Sequence, residues 1–267
     1  MTIPQVPVSS IIGMIFSLIL CIGVPVLACL FLRKKCHAEI SGLLLGALTF
    51  IVATMVLEQM LHTVVFMAAG EIINNNIWLY ALYGAAAAAV FEECARYFVM
   101  KRFLQRRNQL TRENALMYGV GHGGIEAILV TGFAYVNNII TSYLINSGGI
   151  TANLEALDEA NRALALQSLE VLGNTDSLMF YLGGIERVLA FALQIALSVL
   201  VYRAAKLGQR QYLILALAIH FGVNFITVLL AQYLPVAAAE LILLVMVAGA
   251  AWFAYRLYHQ AEEGAGI

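Results

Sequence analysis

Charge is what this sequence has least of. Of its 267 residues only 12% are Asp, Glu, Lys or Arg, and the net charge is −1; soluble domains carry about twice that share. No basic block with interleaved aromatics occurs, so nothing here suits nucleic acid. Proline is scarce as well: Pro4, Pro7, Pro25 and Pro235 are the full set, which argues against the Pro-broken, repeat-related spans of many transporters. The four cysteines, Cys21, Cys29, Cys36 and Cys94, form no CxxC pair. Three lie in apolar runs, so free thiols are expected, with no disulfide frame or thiolate zinc site. No Lys or Arg precedes the first apolar run, so a cleaved signal peptide is not expected. Neither an HExxH string nor an internal repeat is found.

What is abundant is apolar sequence, 62% of the chain, with a mean hydropathy of +0.85. A bilayer core takes about 20 apolar residues per helix, and seven stretches qualify: about 8–32, 39–69, 78–100, 113–145, 178–203, 209–231 and 234–257. The expected fold is an all-α polytopic membrane helix bundle of about seven transmembrane helices. It forms a single transmembrane domain over residues 1–267, with the lipid bilayer as its surroundings. Basic residues orient it. Arg33, Lys34 and Lys35 follow the first span; Lys101, Arg102, Arg106, Arg107 and Arg112 the third; Arg203, Lys206 and Arg210 the fifth; Arg256 ends the seventh. All fall on one side of a seven-span chain, whereas the opposite loops hold Arg162 alone. The positive-inside rule then puts the N-terminus outside and the C-terminus in the cytoplasm. The long outside loop 146–177 is acidic, and Leu154, Leu157, Leu164 and Val171 recur at near-helical spacing, which predicts an amphipathic surface helix.

A charge at mid-bilayer is expensive and usually functional. Three spans carry ionisable residues in pairs. Glu92 and Glu93 stand four and three residues before Arg96, so either carboxylate can meet the guanidinium on one helix face. Two adjacent carboxylates cannot both ionise cheaply, which leaves one paired and one available as acid or base. His122 and Glu126 share a face at i, i+4 amid Gly121, Gly123 and Gly124, where another backbone or a substrate can approach closely. His220 and Asn224 repeat that spacing and can both donate hydrogen bonds to a developing oxyanion. Glu92 lies 9 residues before Lys101, while His122 and His220 each lie 10 after a basic residue. All three therefore sit roughly 14–15 Å from the cytoplasmic boundary, in one layer. Glu186 is a further candidate, either joining the site or pairing locally with Arg187. Glu58 and His62, nearer the outer face, are read as structural.

The paired glutamates with a downstream basic residue, a histidine on the next helix, and a histidine with Asn four later resemble the CPBP clan of glutamate-type intramembrane proteases. That clan includes the CAAX-prenyl endopeptidases, the PrsW proteases and the Aph subunit of γ-secretase. The GHGGIEA string at 121–127 and the HFGVN string at 220–224 are similar to YhfC-type proteins in particular; the resemblance covers about 78–230. In one respect the chain departs from the CAAX endopeptidases. Two residues, not three, separate Glu93 from Arg96, as in PrsW, which has lysine there. Motif order points to Glu92 as the catalytic glutamate, with Glu93 the alternative. The resemblance implies a multi-pass protein of a bacterial or archaeal cell membrane. It also implies an endopeptidase acting on a membrane-anchored or transmembrane peptide. Glu92, helped by His122, would activate water, His220 and Asn224 would hold the oxyanion, Arg96 would orient the carboxylates, and Glu126 would tune His122. No metal or other cofactor is expected. The rivals are a zinc metalloprotease, a non-catalytic scaffold and a proton-coupled transporter.

The charge partition generates a topology prediction. A reporter active only in the cytoplasm is expected to score after residues 33, 107, 207 and 262 and to stay silent after 160. Activity at 160 or silence at 107 refutes seven spans in this orientation.

Overall fold

The structure is a computed structural model and describes residues 3–260. Among the described residues all regular structure is helical: α1 (Val8–Cys36), α2 (Ile40–Asn74), α3 (Ile77–Val99), α4 (Arg112–Ser147), α5 (Ile150–Glu155), α6 (Glu159–Asn174), α7 (Ser177–Leu207), α8 (Gln211–Tyr233) and α9 (Val236–His259). Each of the seven apolar stretches has become a helix. The two longest helices contain a π segment each, Ile51–Glu58 in α2 and Ala127–Gly132 in α4, and a third, Met100–Leu104, directly follows α3. Six helices, α1, α2, α4, α7, α8 and α9, are long and apolar enough to cross a membrane. The expected seventh span, α3, has 23 residues. It carries Glu92, Glu93 and Arg96 and is not among those six. Large apolar side chains point outward along the spans, among them Leu27, Val64, Ile214, Val245 and Met67, the last 84% exposed. In water such a surface would drive aggregation; in lipid it is the outer face of an integral, multi-pass membrane protein.

Local signals explain several boundaries. Asn76 caps α3, accepting from the amides of Trp78 and Leu79 at 3.0 and 3.3 Å, as short polar side chains do at N-caps. Asn108 sits at φ 56° and ends the short turns that follow α3. Asp158 caps α6, accepting from Asn161 through backbone and side chain at 3.0 and 2.6 Å. Those donors hold its carboxyl below the usual range.

The chain divides into two compact units. The first takes the N-terminal residues to Val24 and Ala127–Val188. Its core joins Val6, Met14, Ile145, Leu169, Leu172 and Phe180. Asn146 fastens the N-terminal strap, bonding Val6 N and O at 2.9 Å each. The amphipathic helix exists as α6, but the buried face differs from the expected one. Leu169 and Leu172 are buried with Leu166 against them, whereas Leu164 and Val171 are exposed. Leu154 is buried and Leu157 exposed. Asp158 starts a new helix between α5 and α6, so a spacing carried across that break loses its phase.

The second unit, Pro25–Glu126 with the chain from Leu189 onward, packs around the C-terminal part of α7. Leu197, Leu200, Val201, Ala204 and Ala205 there have almost no exposure. In this unit α2 and α4 press backbone to backbone. A Cβ on Gly46 would land on Tyr118 O, and one on Gly121 would land on Leu43 O. Glycine weakens a helix by about 1 kcal/mol. Here it removes the side chain that would hold two helices apart, and in a bilayer the backbone keeps its internal hydrogen bonds regardless.

Gly46→Ala and Gly121→Ala are therefore expected to destabilise the protein by about 1–3 kcal/mol or more, as overpacking does, despite alanine's better helix propensity. Gly249→Ala, where a Cβ meets nothing within 4 Å, is expected to be neutral or slightly stabilising. Thermal unfolding in detergent distinguishes the two classes.

Candidate functional site

Every residue of the buried polar network lies in the second unit. On α3, Glu92 and Glu93 are adjacent and point to different partners. Glu92 Oε2 is 2.8 Å from His122 Nε2. Glu93 Oε1 is 2.8 Å from His220 Nδ1 and 3.4 Å from Arg96 Nη2. Rotation of about 100° per residue along a helix thus hands one carboxylate to α4 and the other to α8. The pairing left open by the sequence is settled in these contacts: Glu93 is the partner of Arg96, and Glu92 the partner of His122.

Arg96 is the largest fully buried side chain, at 0% exposure. Its Nη1 donates to Gln194 O at 2.8 Å and to Ser198 Oγ at 3.0 Å, and its Nη2 donates to Gln194 Oε1. The amide nitrogen of Gln194 then donates to Glu92 Oε2 at 2.9 Å and to Glu126 Oε2 at 2.8 Å. One neutral side chain thereby connects the guanidinium to two carboxylates and keeps their like charges apart. Gln194 and Ser198 were not picked out from the sequence. The available signal was two polar residues at i, i+4 inside an apolar run, at the spacing found for His122/Glu126 and His220/Asn224.

Glu93, Arg96 and His122 have no exposure, and His220 has 2%; Glu92 retains 5%. Of these five, Glu92 is the group with the most remaining access. His122 Nδ1 is buried without a hydrogen-bond partner, as is Glu93 Oε2. Phe50 meets the His122 ring edge-on at 5.3 Å and Tyr118 stacks on it at 6.2 Å, which fixes the ring plane. Asn224 is half-buried and takes no part in these hydrogen bonds. Glu186 bonds Arg187 at 2.5 Å in the first unit, the local pairing. Glu58, read as structural, is buried and 3.4 Å from His62.

One oxygen each from Glu92 and Glu126 and a ring nitrogen of His122 lie within 4.8 Å of one another. Two carboxylates and an imidazole are a donor set that a divalent ion can use while keeping a position for water.

Sequence comparison places this network. A family model described as YhfC intramembrane metalloprotease matches residues 19–248. The chain belongs to the YhfC family. It is 36% identical over 208 residues to the "Uncharacterized membrane protein YhfC" of Bacillus subtilis (strain 168), covering 77% of this chain and 79% of that one. No solved structure matches. The match contains every residue of the network, so the buried carboxylates and histidines belong to the region shared with a family described as an intramembrane protease.

The network predicts how its stability fails. Arg96→Met leaves Glu93 buried beside His220 without its guanidinium, which is expected to cost about 3–5 kcal/mol. Adding Glu93→Gln to that variant is expected to recover a substantial part. Chemical or thermal unfolding of the two variants in detergent measures the difference.

Proposed function

We propose that this protein is an intramembrane endopeptidase that hydrolyses a peptide bond in a membrane-inserted or membrane-proximal segment, with Glu92 and His122 activating the water. The observation that carries this reading is the 2.8 Å bond between Glu92 and His122, on a buried carboxylate that is not wholly closed off. Glu92 takes a proton from water as its oxygen bonds to the carbonyl carbon. Gln194, donating to the same oxygen as His122, fixes the carboxylate's rotation, and Arg96 fixes Gln194 in turn. The bond from Glu93 to His220 Nδ1 orients that ring much as a buried aspartate orients histidine in a catalytic triad. In its imidazolium form the ring donates Nδ1–H to Glu93 and has Nε2–H, with Asn224 one turn further on, to donate to the oxyanion. Glu126 acts on the pair through the shared Gln194 amide. Counting α3 as a seventh span gives the N-terminus-outside arrangement of the basic loops. This glutamate-based reading agrees with the clan that the paired-glutamate motif resembles.

A second reading has its own observation. Glu92, His122 and Glu126 form the donor group described above, and the family description names a metalloprotease. A divalent ion held there would supply Lewis acidity and lower the pKa of a bound water. Two features favour the glutamate reading. Only one of the three ligands is a histidine. His122 Nδ1 also lacks the outer hydrogen-bond partner that metal-ligating histidines almost always have.

Glu92→Gln and His122→Ala are expected to lower proteolysis of co-reconstituted membrane substrates by about 100-fold or more, with insertion and folding retained. Purified protein stripped by chelator is expected to keep its activity. Loss on stripping with recovery on adding zinc selects the metal reading. Full activity in Glu92→Gln refutes both assignments of Glu92, and absence of cleavage by wild type leaves a scaffold.

A further inference from the structure

One buried carboxyl beside the network has no part in these steps. Glu58 closes the π segment of α2, which packs against α3. It is 4% exposed, on the stretch of α2 that packs against the helix carrying Glu92. Its Oε1 faces His62 Nε2 at 3.4 Å, at the outer limit of a hydrogen bond, and its Oε2 is buried with no hydrogen-bond partner. His62 Nδ1 meets the hydroxyl of Tyr83, on α3, at 2.7 Å. With Tyr83 donating, that imidazole is neutral and turns its own N–H toward Glu58.

The partners divide unequally among the acids. Glu92 has His122 and Gln194, Glu93 has Arg96 and His220, and Glu126 has Gln194. Glu58 has one long contact. Burying a carboxylate with an unsatisfied oxygen is far more costly than burying the neutral acid. Segments of π-helix are also frequent at functional sites. Two of the three π segments adjoin an acid: one ends on Glu58, and one begins directly after Glu126, while the third, Met100–Leu104, does not.

We propose that Glu58 is the acid of the reaction, with Oε2 carrying the proton that the leaving nitrogen receives. The inference rests on the endopeptidase reading above. Water gives one proton to Glu92 as its oxygen bonds to the carbonyl carbon. When the C–N bond breaks, its electron pair goes to nitrogen, which takes the proton from Glu58. The proton held by Glu92 then restores Glu58. The sum is addition of one water across the peptide bond, and base and acid are two carboxyls kept apart by their surroundings.

Two measurements on the full chain in nanodiscs test this. At neutral pH, infrared spectra of wild type are expected to show the carbonyl stretch of a protonated carboxyl that disappears in Glu58→Gln. That readout needs no substrate, and absence of the difference overturns the proposal. Cleavage is then compared on a membrane peptide amide and on a nitrophenyl ester of a hydrophobic acyl peptide, whose leaving group needs no proton. Glu58→Gln is expected to lose about 100-fold or more on the amide with KM nearly unchanged, while ester hydrolysis stays within a few-fold of wild type. Equal loss on both substrates, or loss on neither, overturns the assignment. Glu92→Gln is expected to lose both; if it loses neither, the assignment of Glu92 as the base fails, and if wild type cleaves neither substrate the endopeptidase reading fails, while the infrared difference still decides whether Glu58 holds the proton.

Discussion

A guanidinium with no exposure, enclosed by membrane helices, is the constraint on which the second unit depends. Arg96 cannot shed its charge, and a buried charge is tolerable only with paired, well-aligned partners. It finds Glu93 on its own helix and Gln194 with Ser198 on α7. From these contacts the others follow. Glu93 holds His220 on α8, Gln194 holds Glu92 and Glu126, and Glu92 holds His122 on α4. Four helices are tied through one cation, and the orientation of each reactive group is inherited from it.

Such a network needs helices at close quarters, and the glycines of α2 and α4 provide that. The contacts of Gly46 with Tyr118 O and of Gly121 with Leu43 O bring α4 near enough for His122 to be enclosed between Phe50, Tyr118 and Glu92. The π segments act along the helices. Two of them change the angular phase of the residues beyond, next to Glu58 in α2 and next to Glu126 in α4, and a third follows α3 at Met100–Leu104. Weak helix formers and irregular turns are concentrated where the acids are, while the outward faces remain regular and apolar.

The acids occupy different electrostatic settings. Glu93 is joined to a permanent cation, Glu92 to an imidazole and a neutral amide, and Glu58 to a single distant imidazole. On the proposed reading, carboxyls with such different partners supply both a base and an acid to one reaction.

The sequence alone determined the class of the protein and marked most of the charged side chains that meet in the network. Runs of about 20 apolar residues can only be helices in lipid, because the backbone has no other way to satisfy its hydrogen bonds. Ionisable residues inside such runs are too costly to be accidental. Helical spacing marked Glu92, Glu93, Arg96, His122 and His220 for the same reason. Gln194 and Ser198 escaped notice because neutral polar residues cost little in an apolar run, and their importance appears only when a guanidinium from another helix reaches them. Glu58 and His62 read as structural in the sequence, and how Glu58 lies relative to the helix carrying Glu92 depends on how α2 packs against α3, which spacing does not record. The phase of α6 was misread because a break in the helix resets the angle, and spacing does not record it. Which glutamate faces which histidine was left to tertiary structure: two adjacent residues on one helix are chemically equivalent in the sequence and become different only when separate neighbours, Arg96 with His220 and His122 with Gln194, are packed against them.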